Sequence, residues 1–190
     1  MLIMEAISKT SKTEKFIKLI LISLIGTILI TISAKVKIPF YPVPMTMQTF
    51  VILFIGITLG YKIGVATVTL YLFEGIFGLP VFANSPEKGI GLAYFIGPTM
   101  GYLIGFLVAV YFAGLFRYDK GIINTFLKLI FSVSFIYILG IIWLGILIGW
   151  DKPLFKLGAQ PFLLAELFKI LLLVLLTPTL IKIRNLTKII

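Results

Sequence analysis

The chain contains no cysteine and no histidine, and only seven of its 190 residues are acidic. Without cysteine it has neither disulfides, thiolate metal sites nor a thiol nucleophile. Without histidine it lacks the most common general base and the most common metal ligand. A G-x-x-x-x-G-K-[ST] motif for binding ATP phosphates is also missing from the sequence. We therefore expect that the protein is not an enzyme and has no catalytic residues, no cofactor and no metal site.

Hydrophobic residues, by contrast, are in large excess. They make up 60% of the chain, charged residues make up 13%, and the mean hydropathy is +1.15. A soluble domain is closer to half apolar and about one quarter charged. The composition predicts that the lipid bilayer is the solvent of this protein. The net charge of +10 is then interpreted as membrane topology rather than as nucleic-acid binding.

Six apolar runs divide the chain and predict an all-α integral membrane protein with six transmembrane helices. Because a spanning helix needs about 20 residues, six helices use nearly the whole length, and we expect a single membrane domain over 1–190. The first run lacks a signal-peptide cleavage site and is interpreted as a retained helix. The runs cover residues 16–34, 47–61, 63–79, 92–116, 124–149 and 162–181.

The basic residues between these runs predict the orientation of the chain in the membrane. Cytoplasmic loops are enriched in lysine and arginine, and the distribution here favours a cytoplasmic location for both termini. One side holds Lys9, Lys12, Lys15, Lys18, Lys62, Arg117, Lys120, Lys128, Lys182, Arg184 and Lys188. The opposite side holds the smaller set Lys35, Lys37, Lys88, Lys152 and Lys156.

Glu166 and Lys169 lie within the last apolar run, "PFLLAELFKILLLVLL". Three residues apart, they share one face of a helix. A charge in the middle of a membrane costs at least ~2.5 kcal/mol on insertion scales and usually marks a functional site. The pair either neutralises itself to lower this cost or forms a ligand site for a small molecule that carries both donors and acceptors.

Two further stretches carry candidate residues. In "GPTMGYLIG", Gly97, Gly101 and Gly105 are spaced for close helix packing, and Gly97 and Thr99 lie at the expected helix N-terminus, where free N–H groups attract acceptors. Tyr94 and Tyr102 could be aromatic residues of the membrane interface or could pack on a ligand ring. Glu74, in "LYLFEGIFGLP", could line a cavity, face a partner subunit or have a structural role.

Three ordered motifs resemble the BioY family, the biotin-specific substrate-binding components of energy-coupling-factor transporters. They are "PVPMTMQTF" (42–50), "LYLFEGIFGLPVF" (70–82) and "GLAYFIGPTMGYLIGF" (91–106). The resemblance implies a six-helix bundle of the substrate-component type that binds biotin with high affinity from the outer side of a bacterial-type plasma membrane. It also implies a transmembrane coupling subunit and two ATP-binding subunits as partners. The alternative is an autonomous secondary carrier for biotin or another small anionic vitamin, with Glu74 or Glu166 as its proton site.

The resemblance also implies roles for individual residues. An acidic residue three positions before a lysine, often aspartate in the family, maps onto Glu166 and Lys169, and we expect Glu166 to accept from the ureido N–H groups of biotin. Lys169 could contact the ureido carbonyl, the carboxylate tail or mainly Glu166. Asn84, Tyr94, Gly97, Thr99, Tyr102 and Gln48 complete the expected ligand set. On the first helix, Ser23 and Thr27 are the nearest substitute for the small-residue pattern with which related substrate components meet the coupling subunit.

Overall fold

The computed structural model describes residues 12–39 and 41–186. The two ends of the predicted domain, with Lys9 and Lys188, lie outside the described residues. The fold is a helical bundle with seven α-helices, a two-stranded sheet and a single 3₁₀ turn in the described ranges. In chain order the elements are α1 (Lys12–Lys35), β1 (Lys37–Ile38), β2 (Met45–Thr46), α2 (Gln48–Ile76), α3 (Gly91–Phe95), α4 (Met100–Leu115), α5 (Gly121–Ile148), α6 (Leu154–Gly158), the 3₁₀ turn (Gln160–Phe162) and α7 (Leu163–Leu186).

Helix α2 folds back on itself at Gly60. This glycine has φ 77° and ψ 173°, a backbone conformation that is essentially restricted to glycine. The side chains of Gln48 and Tyr71 are joined by a hydrogen bond of 2.9 Å, although 23 residues of straight helix would separate them by roughly 34 Å. The two arms of α2, 48–59 and 61–76, are therefore antiparallel, and they correspond to the second and third predicted helices.

Six helices thus cross the bundle, as the sequence predicts. Four stretches are long and apolar enough to span a membrane by length and composition: Phe16–Lys35, Gln48–Ile76, Gly121–Ile148 and Leu154–Asn185. The folded-back α2 supplies two of the crossings, and the shorter apolar helix α4 (Met100–Leu115) supplies the sixth. The protein is accordingly a multi-pass membrane protein.

Glycine allows the central helices to approach closely. A Cβ on Gly101 would lie 2.3 Å from the carbonyl oxygen of Leu139, and one on Gly105 would lie 2.6 Å from the Cα of Ile136. These distances leave no room for a side chain, so α4 and α5 pack backbone against backbone. The four-residue glycine spacing therefore serves helix packing at Gly101 and Gly105, as predicted.

Two local features differ from the expectations. The run predicted as one helix over 92–116 is interrupted after α3, and α4 begins only at Met100. Pro98 accounts for the break, because its ring disfavours a helical conformation at the preceding Gly97. The first outer loop also contains a short antiparallel ladder, in which Lys37 pairs with Thr46 and Ile38 with Met45.

Candidate functional site

A cavity of about 50 Å³ lies inside the outer end of the bundle, where α2, α4, α5 and α7 meet below the first outer loop. Its volume holds only a few water molecules. The wall is mainly apolar and aromatic, with a minority of polar groups. It is formed by Val43, Pro44, Met45, Thr46, Gln48, Thr49, Phe82, Ala83, Tyr94, Thr99, Tyr102, Leu103, Phe106, Ile136, Tyr137, Phe162 and Glu166.

The charged pair of α7 lies at this cavity. Glu166 and Lys169 are 4% and 8% exposed, and Nζ of Lys169 donates to Oε1 of Glu166 at 2.6 Å. The ammonium also donates to the carbonyl of Thr46 at 2.7 Å and to Oγ1 of Thr49 at 3.0 Å. An ammonium has three donors, so these three contacts use all of them. Lys169 therefore joins α7 to the first outer loop and to the start of α2.

Only one of the two carboxylate oxygens of Glu166 forms well-defined hydrogen bonds with the described residues. Its Oε1 accepts from Lys169 and also from Oγ1 of Thr49 at 2.8 Å. The Tyr137 hydroxyl lies beside the carboxylate, yet Oε2 is buried and receives no well-formed hydrogen bond from the described residues. Buried acceptors without a partner are rare, and each asks for an explanation. Since the Glu166 side chain lines the cavity, its carboxylate can accept a hydrogen bond from a ligand.

Aromatic rings form two groups in the wall of the cavity. In the first group, Phe82 and Tyr94 stack with their ring centres 5.2 Å apart. In the second group, Tyr137 stacks on Phe162 at 6.3 Å and meets Tyr102 edge to face at 6.2 Å. The Tyr102 hydroxyl donates to the carbonyl of Gly158 at 2.8 Å, which holds the ring in place. Such walls suit a ring-shaped ligand, because aromatic faces offer a large contact area and polarisable contacts.

Tyr94 connects this wall to the second outer loop. Its hydroxyl accepts the backbone N–H of Asn84 at 3.1 Å. Burial raises the pKa of the Tyr94 phenol above its usual range, and the hydrogen bonds with Asn84 and Thr99 partly offset this effect. The hydroxyl therefore stays protonated at neutral pH.

Five of the predicted ligand residues line the cavity: Gln48, Tyr94, Thr99, Tyr102 and Glu166. Three others lie just outside its wall. Lys169 is behind Glu166, the Asn84 side chain accepts from Lys37 at 3.2 Å, and the Gly97 carbonyl accepts from the indole of Trp143 at 2.8 Å. Asn84 and Gly97 act on the wall through their backbone and neighbours rather than by lining it.

Glu74 lies away from the cavity. Its Oε1 accepts a hydrogen bond from Oγ1 of Thr27 at 3.0 Å, so it joins the second arm of α2 to α1. Ser23 and Thr27 are 3% and 2% exposed, and Gly26 between them packs against Thr67. In this conformation their face of α1 is covered by α2. Ser23 and Thr27 thus serve packing within the chain in this structure, and their role in docking stays a prediction.

Several residues that line the cavity could not be identified from the sequence. Thr46 and Thr49 lie inside the "PVPMTMQTF" motif, and their position next to the predicted ligand residue Gln48 was the available signal. Tyr137 is a tyrosine in the middle of an otherwise apolar run, away from the membrane interfaces where tyrosine is usual. Phe106 and Phe162 carried no signal, since phenylalanine is common throughout the chain. Across the described residues, no group of three acidic side chains could hold a metal ion.

Comparison with known proteins gives a consistent result. The model of the BioY family matches residues 6–186 of the chain. The biotin transporter BioY of Thermotoga maritima is 35% identical over 153 residues, which cover 80% of this chain and 89% of the relative. Biotin transporter BioY2 of Lactococcus lactis subsp. cremoris is 31% identical over 175 residues, which cover 90% and 93% of the two chains.

A solved structure has the same fold. It is the S-component for biotin from an ECF-type ABC transporter, determined by crystallography at 2.1 Å. The two structures superpose with a TM-score of 0.75 at 27% sequence identity, over 91% of this chain and 95% of the other. The bundle described above is thus that of an S-component.

Proposed function

Because the chain belongs to the BioY family, we propose that it is the membrane subunit that binds biotin at the outer side of the membrane for uptake. It is a transporter component and carries out no covalent chemistry of its own. The observation that carries the proposal is the buried carboxylate of Glu166 in the wall of the outer cavity, whose Oε2 receives no well-formed hydrogen bond from the described residues. Biotin offers the missing donors, because its ureido ring has two N–H groups.

The remaining chemistry of the cavity fits the same ligand. The thioether ring of biotin can pack against the Phe82–Tyr94 group and the Tyr102–Tyr137 group, where sulfur–aromatic contacts are favourable. Hydroxyl and amide groups of Gln48 and Thr99 can bind the ureido carbonyl or the carboxylate tail. Since the donors of Lys169 are already used within the protein, we assign to Lys169 the role of holding Glu166 and Thr46 rather than of binding biotin directly.

Binding requires the cavity to expand. A volume of about 50 Å³ is too small for biotin, which is far larger than a few water molecules. The first outer loop covers the cavity through Val43–Met45, and Lys169 contacts it only through the Thr46 carbonyl. Displacement of this loop would open the cavity, at the cost of exposing the buried Val43 and of breaking the Lys169 hydrogen bond to Thr46.

We also assign to the chain its partners and its location. Uptake depends on a transmembrane coupling subunit and two ATP-binding subunits in the plasma membrane. Two observations support this proposal: the structural neighbour is an S-component of an ECF-type ABC transporter, and the sequence has no P-loop of its own. Proton-driven transport through Glu74 finds no support, because Glu74 lies away from the cavity and is bonded to Thr27.

Calorimetric titration of the purified chain in detergent, without ATP, tests the proposal. We expect saturable binding of biotin by the wild type, and weaker binding by Glu166→Gln, which keeps the shape of the side chain but loses its charge. Glu74→Gln is the matched control and should bind like the wild type. Absence of saturable biotin binding, or tighter binding of another vitamin, would refute the assignment of the ligand.

A second experiment addresses the mode of transport. Proteoliposomes that contain this chain alone should not accumulate biotin when a proton gradient is applied. Accumulation under these conditions would show that the chain is a secondary carrier and that the partner subunits are not required.

A further inference from the structure

Two lysines, Lys35 at the outer end of α1 and Lys37 in β1, bind the second outer loop. Nζ of Lys35 donates to the carbonyls of Phe82 and Ser85 at 2.7 and 2.6 Å. Nζ of Lys37 donates to the carbonyl of Ala83 at 2.8 Å and to Oδ1 of Asn84 at 3.2 Å. Four consecutive residues, 82–85, thus turn an oxygen toward one of two ammonium groups.

This contact differs from an ordinary surface ion pair. The carboxylate of Glu87 lies 3.8 Å from Lys37 and is two-thirds exposed, so it adds little. The acceptors are loop carbonyls, and Ser85 is buried. Hydrogen bonds from a charged donor are stronger than neutral ones, and they satisfy carbonyls that a non-helical segment leaves without helical partners.

The same segment forms part of the cavity. Phe82 and Ala83 line it, and the backbone N–H of Asn84 holds the hydroxyl of Tyr94, the ring that stacks on Phe82. Moving 82–85 would therefore displace Phe82 and break the hydrogen bond that positions Tyr94. Neither lysine lines the cavity itself.

We propose that Lys35 and Lys37 are positioning residues for biotin, which hold the 82–85 segment in the place where Phe82 and Tyr94 form the wall of the binding site. This inference rests on the proposed function. It assigns to the end of α1 and to β1 a part in ligand affinity, although neither element contributes a side chain to the cavity. If the wall is formed only part of the time, the apparent dissociation constant rises by the inverse of that fraction.

The test uses the full chain in detergent with Lys35→Met, Lys37→Met and the double variant. Methionine keeps the length of the side chain and removes its charge and donors. Lys88→Met is the matched control, because Lys88 is an exposed lysine of the same loop. For each variant, the dissociation constant and the dissociation rate of biotin are measured, together with amide hydrogen exchange and thermal unfolding without ligand.

We expect each single variant to raise the dissociation constant about 3- to 10-fold, and the double variant to raise it more, mainly through faster dissociation. Hydrogen exchange should become faster at 82–89, while α7 and the unfolding temperature stay near those of Lys88→Met. Unchanged biotin kinetics in the double variant would overturn the proposal. So would faster exchange throughout the bundle, since that result would indicate a role in general stability alone.

The two proposals can fail separately. If the wild type does not bind biotin, the proposed function is wrong, and exchange at 82–89 still decides whether the lysines hold this segment. If the wild type binds and the lysine variants bind equally well, only the positioning role is wrong.

Discussion

Removing Lys169 alone should damage the protein more than removing Lys169 and the charge of Glu166 together. In Lys169→Met, three hydrogen bonds of 2.6–3.0 Å are lost, and a buried carboxylate keeps neutral neighbours, the Thr49 hydroxyl that donates to it and the Tyr137 hydroxyl beside it. Breaking a buried ion pair from one side typically costs about 3–5 kcal/mol, because the other charge is left uncompensated. Replacing both partners by neutral groups of similar shape is often much cheaper.

The double variant Glu166→Gln/Lys169→Met completes a thermodynamic cycle. We expect a coupling energy of about 2–3 kcal/mol between the two sites, the upper part of the range for residues in direct contact. For a chain of this size 1 kcal/mol corresponds to about 2–4 °C in the unfolding temperature. Lys169→Met should thus unfold about 6–20 °C below the wild type, and the double variant should recover a large part of this loss.

Thermal unfolding in detergent and biotin titration on the same preparations provide the assay. The double variant should remain weak in biotin binding although its stability is partly restored, because the carboxylate acceptor is gone. Glu74→Gln serves as the control for a change at an intramembrane acid outside the cavity. A double variant whose loss of stability equals the sum of the two single losses would refute the reasoning, since the pair would then not act as a unit.

Three further predictions concern single positions. Gly60→Ala should lower the stability by about 1–3 kcal/mol, because φ 77° with ψ 173° is strained for any side chain; an unfolding temperature equal to that of the wild type would contradict the sharp turn in α2. Gly140→Ala places a Cβ 2.4 Å from the ring of Tyr102, so it should lower the free energy of unfolding by about 1–3 kcal/mol. It should also weaken biotin binding, because Tyr102 lines the cavity, and unchanged affinity would show that this ring does not contact the ligand. Glu74→Gln should leave biotin affinity within error of the wild type in calorimetry, and a loss comparable to that of Glu166→Gln would place Glu74 at the ligand after all.

The sequence predicts the architecture well because hydrophobicity alone determines it. Apolar runs and their basic flanks identify six crossings, even where two runs are joined by only a few residues around Gly60. The same signal cannot locate the interruption at Gly97–Thr99, because those residues are apolar or small, and only the backbone restriction imposed by Pro98 ends the helix there.

The candidate site was predicted best where a residue type is costly in a membrane. Glu166 and Lys169 are recognisable because charge at that depth requires compensation. The direction of their side chains could not be predicted, since it depends on which atoms of the first outer loop reach α7. The small-residue pattern at Ser23 and Thr27 does not by itself distinguish two roles, because close packing within a chain and docking between chains require the same small side chains.

The first arm of α2 also sets where irregular backbone can exist in this protein. At 48–59 it is roughly 18 Å long, whereas the hydrocarbon core of a bilayer is about 30 Å thick. A difference of about 12 Å leaves space for chain that is not helical, and such backbone survives at membrane depth only where protein encloses it or where it borders a cavity. The buried residues Pro42–Pro44 and the ammonium of Lys169 under Thr46 supply that enclosure. The short arm is therefore compatible with a non-helical cover and a ligand cavity at the same end of the bundle.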